Sequence, residues 1–179
     1  MENAVIFILI FFVVHWYASL FFQSMFHHRY AAHGMFTMSN FWEKTFHIGS
    51  FITQGSSYLS PYAYGVMHRL HHAFADTEED PHSPIIDKDL FRMMWRTRRV
   101  YMDIDQEIAV VGEKFKKGVP KWRSFDRFAE SRITRLVWVA IYVLIFVLVD
   151  APWWLYFLLP FIILMSPVHG VIVNWYSHK

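Results

Sequence analysis

Residues 4–26 read AVIFILIFFVVHWYASLFFQSMF, an apolar run in which His15 and Gln23 are the only strongly polar side chains. At about 1.5 Å per residue, a helix of this length crosses a hydrocarbon layer of roughly 30 Å. The run follows Glu2 rather than a basic region, and it lacks the small-residue cleavage pattern of a secretory signal peptide. It therefore predicts a transmembrane helix.

Two further apolar segments, residues 133–149 and 153–173, predict a second and a third span. Residues 150–152 (Asp-Ala-Pro) predict a tight turn between them. Pro160 and Pro167 interrupt the last segment, so we expect kinks in it rather than a straight helix.

Composition and charge agree with a membrane protein. Hydrophobic residues make up 55% of the 179 and charged residues 18%, against about 25% charged in soluble domains. Of 17 Lys and Arg residues, 16 lie between Arg29 and Arg135. The positive-inside rule therefore places residues 28–132 and the C-terminal end in the cytoplasm, with the N-terminus and the turn near Asp150 outside. The net charge of +2 is too small to indicate a nucleic-acid partner.

Residues 41–59 (FWEKTFHIGSFITQGSSYL) are harder to assign, because several polar residues and two glycines make them a poor spanning helix. If they crossed the membrane, the histidines on either side of them would lie on opposite faces. An amphipathic helix in the membrane interface keeps those histidines on one face. We therefore expect an all-α membrane protein of one domain, residues 1–179, with three transmembrane helices, this interfacial helix and a cytoplasmic helical lobe at about 61–132.

Within that lobe, residues 76–84 read as an acidic loop rich in turn formers. Residues 87–130 look like two amphipathic helices that are separated near residues 117–120 (Lys-Gly-Val-Pro).

Histidines gather in three groups, each directly after an apolar segment: His28 and His33; His68, His71 and His72; and Asn174 with His178. Residues three or four apart share a helix face, so the second and third groups each form a cluster. His71 and His72 diverge by about 100°, which lets adjacent residues serve two metal ions. His28 and His33 lie about 140° apart on an ideal α-helix and converge only if the helix ends or distorts between them.

Six histidines and an amide are too many ligands for one zinc ion, which usually takes four. Their number favours two ions, while imidazole suits zinc, copper, iron and nickel alike. The chain has no cysteine, which excludes disulfides, thiolate-bound zinc and iron–sulfur clusters within it. Any redox reaction therefore needs electrons from a separate protein.

The segments HRYAAH, HRLHHAFADTEEDPH and NWYSH resemble the histidine boxes of the integral-membrane acyl-CoA desaturases of the stearoyl-CoA (Δ9) type, especially the short bacterial members. The resemblance implies a non-haem di-iron centre on the cytoplasmic side and O2-dependent insertion of a cis double bond into a saturated acyl chain. It implies a fatty acyl-CoA or another acyl carrier as substrate, and a separate electron donor of the ferredoxin, rubredoxin or cytochrome b5 type. The iron ligands that it implies are His28, His33, His68, His71, His72 and His178, with Asn174 approaching one iron through water.

That family has another HxxHH-type box downstream, which these 179 residues lack. We therefore expect a C-terminally truncated fragment with an incomplete di-iron site, inactive alone. No catalytic residue beyond the metal ligands is predicted.

Two alternative functions stay open: a histidine-box membrane hydroxylase or ketolase, and a non-catalytic membrane protein that binds metal. His15, His47 and His169 are interpreted as structural, whereas His27 and His82 either support ligands or lie at the surface. The basic run from Arg92 to Arg99 meets lipid, an electron donor or the phosphates of an acyl carrier.

Overall fold

The computed structural model describes residues 2–83, 85–87 and 89–177, with side chains described as far as Val173. All regular elements in these ranges are helical. The α-helices are α1 (Glu2–Phe22), α2 (Asn40–Gln54), α3 (Pro61–Phe74), α4 (Leu90–Asp105), α5 (Glu113–Lys116), α6 (Arg123–Ala129), α7 (Arg132–Leu148), α8 (Leu159–Ile163) and α9 (Met165–Ser177). A π helix (Gln23–Ala32) follows α1, and 3₁₀ helices occupy Gly55–Ser57 and Trp153–Leu158.

One helix of the described chain, Glu2–Ala32, is long and apolar enough to cross a membrane. Two bent pairs qualify only when each is counted as one span: Arg123–Ala129 with Arg132–Leu148, bent by 51°, and Trp153–Ile163 with Met165–Val173, bent by 68°. The described residues therefore contain one clear span and up to three.

The bend in the last apolar segment falls at Leu164, between α8 and α9. Pro167 is the third residue of α9, a position where a missing backbone N–H costs no helical hydrogen bond. The chain therefore changes direction where α9 begins, and this bend agrees with the kinks expected from Pro160 and Pro167.

Helix α2 carries its apolar side chains on the outside: Phe41, Trp42, Ile48 and Ile52 are exposed. Its buried residues are His47, Ser50 and Gln54. The sequence prediction extended this helix to residue 59, but it ends at Gln54 because Gly55 takes a left-handed conformation (φ 53°). An outward apolar face suits contact with lipid, and its position in the membrane interface stays a prediction.

The predicted break near residues 117–120 is present between α5 and α6, but residues 87–130 form three helices, α4, α5 and α6, rather than the predicted two. Helix α4 stops at Asp105, where Glu107 adopts a positive φ of 60°. The backbone N–H groups of Ile108 and Ala109 both donate to the carbonyl of Asp103. This turn ends α4 well before residues 117–120, and α5 is a single turn.

Two buried clusters hold the helices together. One joins the π helix, α3 and α4 and includes Ala31, Val66 and Ile104. The other joins α1 to α7 and α8 and is centred on Ile8, Tyr142, Phe146, Leu155 and Ile162. The first cluster sets α3 against the π helix, and this contact positions the histidines.

Candidate metal centre

The π helix brings His28 and His33 onto one face. Hydrogen bonds in a π helix run from residue i to i+5, so residues five apart lie close to one turn apart. The backbone N–H of His33 donates to the carbonyl of His28 at 3.1 Å, and the two Nε2 atoms are 3.2 Å apart. This is the distortion that the sequence required for these histidines to converge.

Helix α3 supplies the other half of the cluster. His68 and His72 lie one α-helical turn apart, with their Nε2 atoms at 2.9 Å. The Nε2 of His68 is also 3.2 Å from that of His33. His28, His33, His68 and His72 therefore present their ligand atoms within 4.8 Å of one another. We call this set the four-histidine cluster.

These separations fit a bound metal ion. Imidazole nitrogens about 2.0–2.1 Å from a zinc ion, and at similar distances from related ions, lie roughly 3 Å from each other. Burial, followed by the neighbouring histidines His28, His72 and His33, lowers the pKa of His68 to about 2. His68 is therefore neutral at physiological pH, the form that binds metal.

Gly65 and Arg69 hold α3 against the π helix. A Cβ at Gly65 would lie 3.1 Å from both the carbonyl carbon and oxygen of Ala31, so glycine permits the close approach. The Arg69 guanidinium donates to the carbonyls of Ala32 (2.6 Å) and Ala31 (3.0 Å) at the C-terminal end of the π helix. It also donates to the carbonyl of Lys117 at 2.8 Å.

His71 faces away from the four-histidine cluster, as its one-residue offset from His72 predicts. Its Nδ1 donates to the Asp80 carboxylate, at 2.9 and 3.0 Å from the two oxygens. The His82 ring stacks on the His71 ring with centroids 4.1 Å apart. His71, Asp80 and His82 are all buried and form a second possible ligand group, which we call the carboxylate cluster.

Asp80 is held ionised by its hydrogen bonds. Burial alone would raise the pKa of Asp80, but the bonds from the His71 ring and from the backbone N–H groups of His82 and Asp76 outweigh it and lower the pKa to about 2. An Nδ1–H···carboxylate bond fixes the tautomer of His71, so that its lone pair is on Nε2, the atom that would bind a metal.

A cavity of about 1090 Å³ adjoins the four-histidine cluster. His28, His68 and His82 line it on one side, and Leu20, Leu59 and Met67 are among its apolar residues. Five arginines also line it: Arg98, Arg123, Arg127, Arg132 and Arg135. Within the basic run of α4, Arg98 is the arginine that lines this cavity, while Arg96 pairs with Asp87 at 2.7 Å.

A sequence model of fatty acid desaturases matches residues 3–179, almost the whole chain. The chain belongs to the fatty acid desaturase family. Proteins of this family are membrane-associated oxidoreductases that generally use two iron ions. Neither a curated protein nor a solved structure matches the chain.

For this desaturase-family chain, the structure describes the side chains of five of the seven residues predicted as ligands or near-ligands, and it brings four of them together. Four form the four-histidine cluster, and His71 joins the carboxylate cluster. The side chain of Asn174 and all of His178 lie outside the described residues, so the third group stays a prediction.

The sequence left His82 open and did not single out Gly65 or Arg69. An arginine between two ligand histidines, inside HRLHH, was the available signal for Arg69. Asp80 lies in the predicted acidic loop, whose carboxylates the sequence allows to bond a ligand imidazole, and the fold identifies that imidazole as His71.

The remaining histidines are tied to the protein scaffold. His27 is buried, with its ring nitrogens 3.3 Å from the carbonyl oxygen of Phe22 and 2.9 Å from that of Leu59. His15 is hydrogen-bonded to the Tyr142 hydroxyl at 3.1 Å. The Nδ1 of His47 donates to the carbonyl of Glu43 at 2.9 Å.

Proposed function

We propose that this chain carries most of the active site of a di-iron acyl-chain desaturase that inserts a cis double bond into a saturated fatty acyl group. One observation carries the proposal: the four-histidine cluster borders a cavity large enough for a long apolar ligand. The cavity volume of about 1090 Å³ is at the upper end of the roughly 300–1,000 Å³ typical of small-molecule sites.

We propose that His28, His33, His68 and His72 bind one iron ion and that His71 contributes to a second, on the neighbouring face of α3. When bound, the iron pair would supply the oxidising power to remove one hydrogen from each of two adjacent unactivated methylenes, with O2 as co-substrate and two electrons from the separate donor. The histidines provide neutral nitrogen ligands, and Asp80 orients His71. We propose that the two iron sites are completed by His178, by Asn174 through water, and by ligands of the further HxxHH-type box.

The apolar and basic parts of the cavity suit different parts of an acyl thioester. Leu20, Leu59 and Met67 would contact the hydrocarbon chain and exclude water from it. Arginines such as Arg98 and Arg127 would bind phosphates of a carrier such as coenzyme A, because guanidinium groups pair well with phosphate. This arrangement supports acyl-CoA as the substrate class, and the family resemblance supports Δ9 regiochemistry.

The electron supply and the orientation in the membrane belong to the same proposal. The sequence contains no cysteine, so we propose a separate donor of the ferredoxin, rubredoxin or cytochrome b5 type. The excess of Lys and Arg around the histidines supports a multi-pass protein whose active site faces the cytoplasm.

Product analysis tests the proposal. The full-length protein, expressed in a host that lacks this desaturation, is supplied with isotopically labelled saturated acyl groups, and its lipids are analysed by mass spectrometry. We expect a labelled cis-alkene that disappears in His68→Ala and persists in His15→Phe, whose histidine bonds Tyr142 away from the cluster. A labelled hydroxy acid without an alkene would instead favour the hydroxylase alternative.

A further inference from the structure

The cavity wall carries a polar site that metal binding does not explain. Gln23 and His169 both line the cavity. Gln23 lies five residues before His28, which places it on the same side of the π helix, one turn further from the metal ligands. His169 lies on α9 opposite.

A hydrogen-bond network fixes how these two side chains are oriented. The Ser166 hydroxyl donates its one hydrogen to the Gln54 carboxamide oxygen at 3.2 Å. In its contact with Gln23 it must therefore be the acceptor, so Gln23 presents its amide nitrogen to Ser166. The Nε2 of Gln23 lies within hydrogen-bond distance of Ser166 Oγ (3.3 Å), Ser19 Oγ (3.1 Å) and His169 Nδ1 (2.9 Å), and its two hydrogens are shared among these three acceptors. Because Nδ1 of His169 accepts, the ring proton of neutral His169 is on Nε2.

That ring proton has no acceptor among the described residues. His169 is 4% exposed, and its Nε2 is a buried nitrogen without a hydrogen-bond partner in the part of the chain that the structure describes. Leaving a buried N–H unpaired is unfavourable, so such a group indicates a partner that binds there. Nearby, the carboxamide oxygen of Gln23 makes no hydrogen bond within the described residues.

We propose that Gln23 and His169 form a subsite for a hydroxyl group on the acyl chain. A hydroxyl accepts one hydrogen bond and donates another, which matches the Nε2–H of His169 and the Oε1 of Gln23. A plain hydrocarbon satisfies neither atom. The inference rests on the proposed function, because it requires an acyl chain in the cavity, and it adds that a hydroxylated chain is the preferred substrate class.

Competitive binding to the purified full-length protein tests this subsite without relying on turnover. A labelled stearoyl thioester is displaced by unlabelled stearoyl thioester or by monohydroxystearoyl thioesters whose hydroxyl is moved along the chain. At the best position, we expect the hydroxylated compound to bind about tenfold more tightly, the effect of one or two added hydrogen bonds.

Three variants assign the preference to its side chains. His169→Phe and Gln23→Leu should each reduce the preference severalfold, measured within each variant as the ratio of its affinities for the hydroxylated and the plain stearoyl thioester. His169→Gln retains an N–H donor and should keep part of the preference. His15→Phe is the matched control, because it removes a histidine that bonds Tyr142 and does not line the cavity.

The outcomes separate this inference from the proposed function. Equal binding of the two chains by the wild type would overturn the subsite and leave the desaturase proposal intact. A His169→Phe variant that weakens both chains equally would also overturn it, because it would show that His169 only packs against Trp16, whose ring centroid is 4.4 Å away. If neither chain bound, both proposals would fail.

Discussion

The two histidine clusters are built from neighbouring residues but have different surroundings. The four-histidine cluster contains only imidazoles, borders the cavity and is partly exposed. The carboxylate cluster is buried, and its His71 is held by Asp80 from the loop after α3. His72 belongs to the first and His71 to the second, because adjacent residues on a helix point about 100° apart.

The ligand side chains are therefore positioned by two different kinds of contact. In the four-histidine cluster, the positions come from two helices packed at close range. In the carboxylate cluster, the position of one imidazole comes from a hydrogen bond to an ionised carboxylate. Changes in helix packing should therefore affect the first cluster, and changes in charge the second.

The largest expected effect is on the four-histidine cluster itself. His68 contacts both His33 and His72, so His68→Ala should lower iron affinity by more than about 100-fold, beyond the 10- to 100-fold cost of losing a supporting group. Iron bound per full-length protein is measured by mass spectrometry after dialysis. His15→Phe should bind iron like the wild type, and iron retained by His68→Ala would remove His68 from the ligand set.

A smaller loss is expected when the support of His71 is removed. Asp80→Asn should lower iron affinity by about 10- to 100-fold, because an amide fixes the His71 tautomer less firmly than a carboxylate. Asp76→Asn is the matched control from the same loop, since Asp76 accepts from the Ser83 hydroxyl at 2.8 Å. Equal iron affinities in the two variants would contradict the role of Asp80.

A substitution that disturbs helix packing should have a smaller effect than loss of a ligand histidine, but a larger one than an ordinary surface substitution. Gly65→Ala places a methyl group 3.1 Å from backbone atoms of Ala31, which should cost about 1–3 kcal/mol of unfolding free energy. Gly112→Ala, whose nearest contact is Phe115 at 3.9 Å, should be nearly neutral. Thermal unfolding of the two variants measures the difference, and equal stabilities would mean that the contact relaxes easily.

In the metal-free protein, we expect the two clusters to differ in acid sensitivity. His68 has a folded pKa lowered from 6.5 to about 2, so the unfolded chain binds the extra proton and stability falls as pH drops below 6.5. Asp80 has its pKa lowered from 3.8 to about 2, so its contribution is present above pH 3.8 and is lost as pH falls through about 2.

Unfolding measured between pH 7 and pH 3 compares the wild type with His68→Leu and Asp80→Asn. The difference in unfolding free energy between the wild type and His68→Leu should decrease as the pH falls below about 6.5. The corresponding difference for Asp80→Asn should stay constant down to about pH 4. If both differences in unfolding free energy changed over the same pH range, the pKa shifts assigned to His68 and Asp80 would be contradicted.

Much of the fold could be predicted because apolar runs and helix periodicity are local properties. The apolar run after Glu2 became the one clear span, and the prolines marked the bend at Leu164. The turn after Asp105 could not be predicted from pattern, since it depends on a positive φ at Glu107 and on the Asp103 carbonyl accepting two N–H groups.

The same division holds for the candidate site. The i, i+4 spacing of His68 and His72 and the divergence of His71 from His72 follow from helix geometry alone. The approach of His28 to His33 does not, because an α-helix separates them by about 140°. Only the π helix, packed against Gly65 and bonded by Arg69, closes that gap.

The sequence by itself determined an all-helical, membrane-associated chain whose histidines are grouped at the ends of apolar segments. These features depend on hydrophobicity and on spacing along a single helix. Tertiary structure decided which histidines meet, which carboxylate holds His71, and that Gln23 bonds His169 in the wall of the cavity. These contacts join residues from 9 to 146 positions apart, and packing between helices sets distances of that kind.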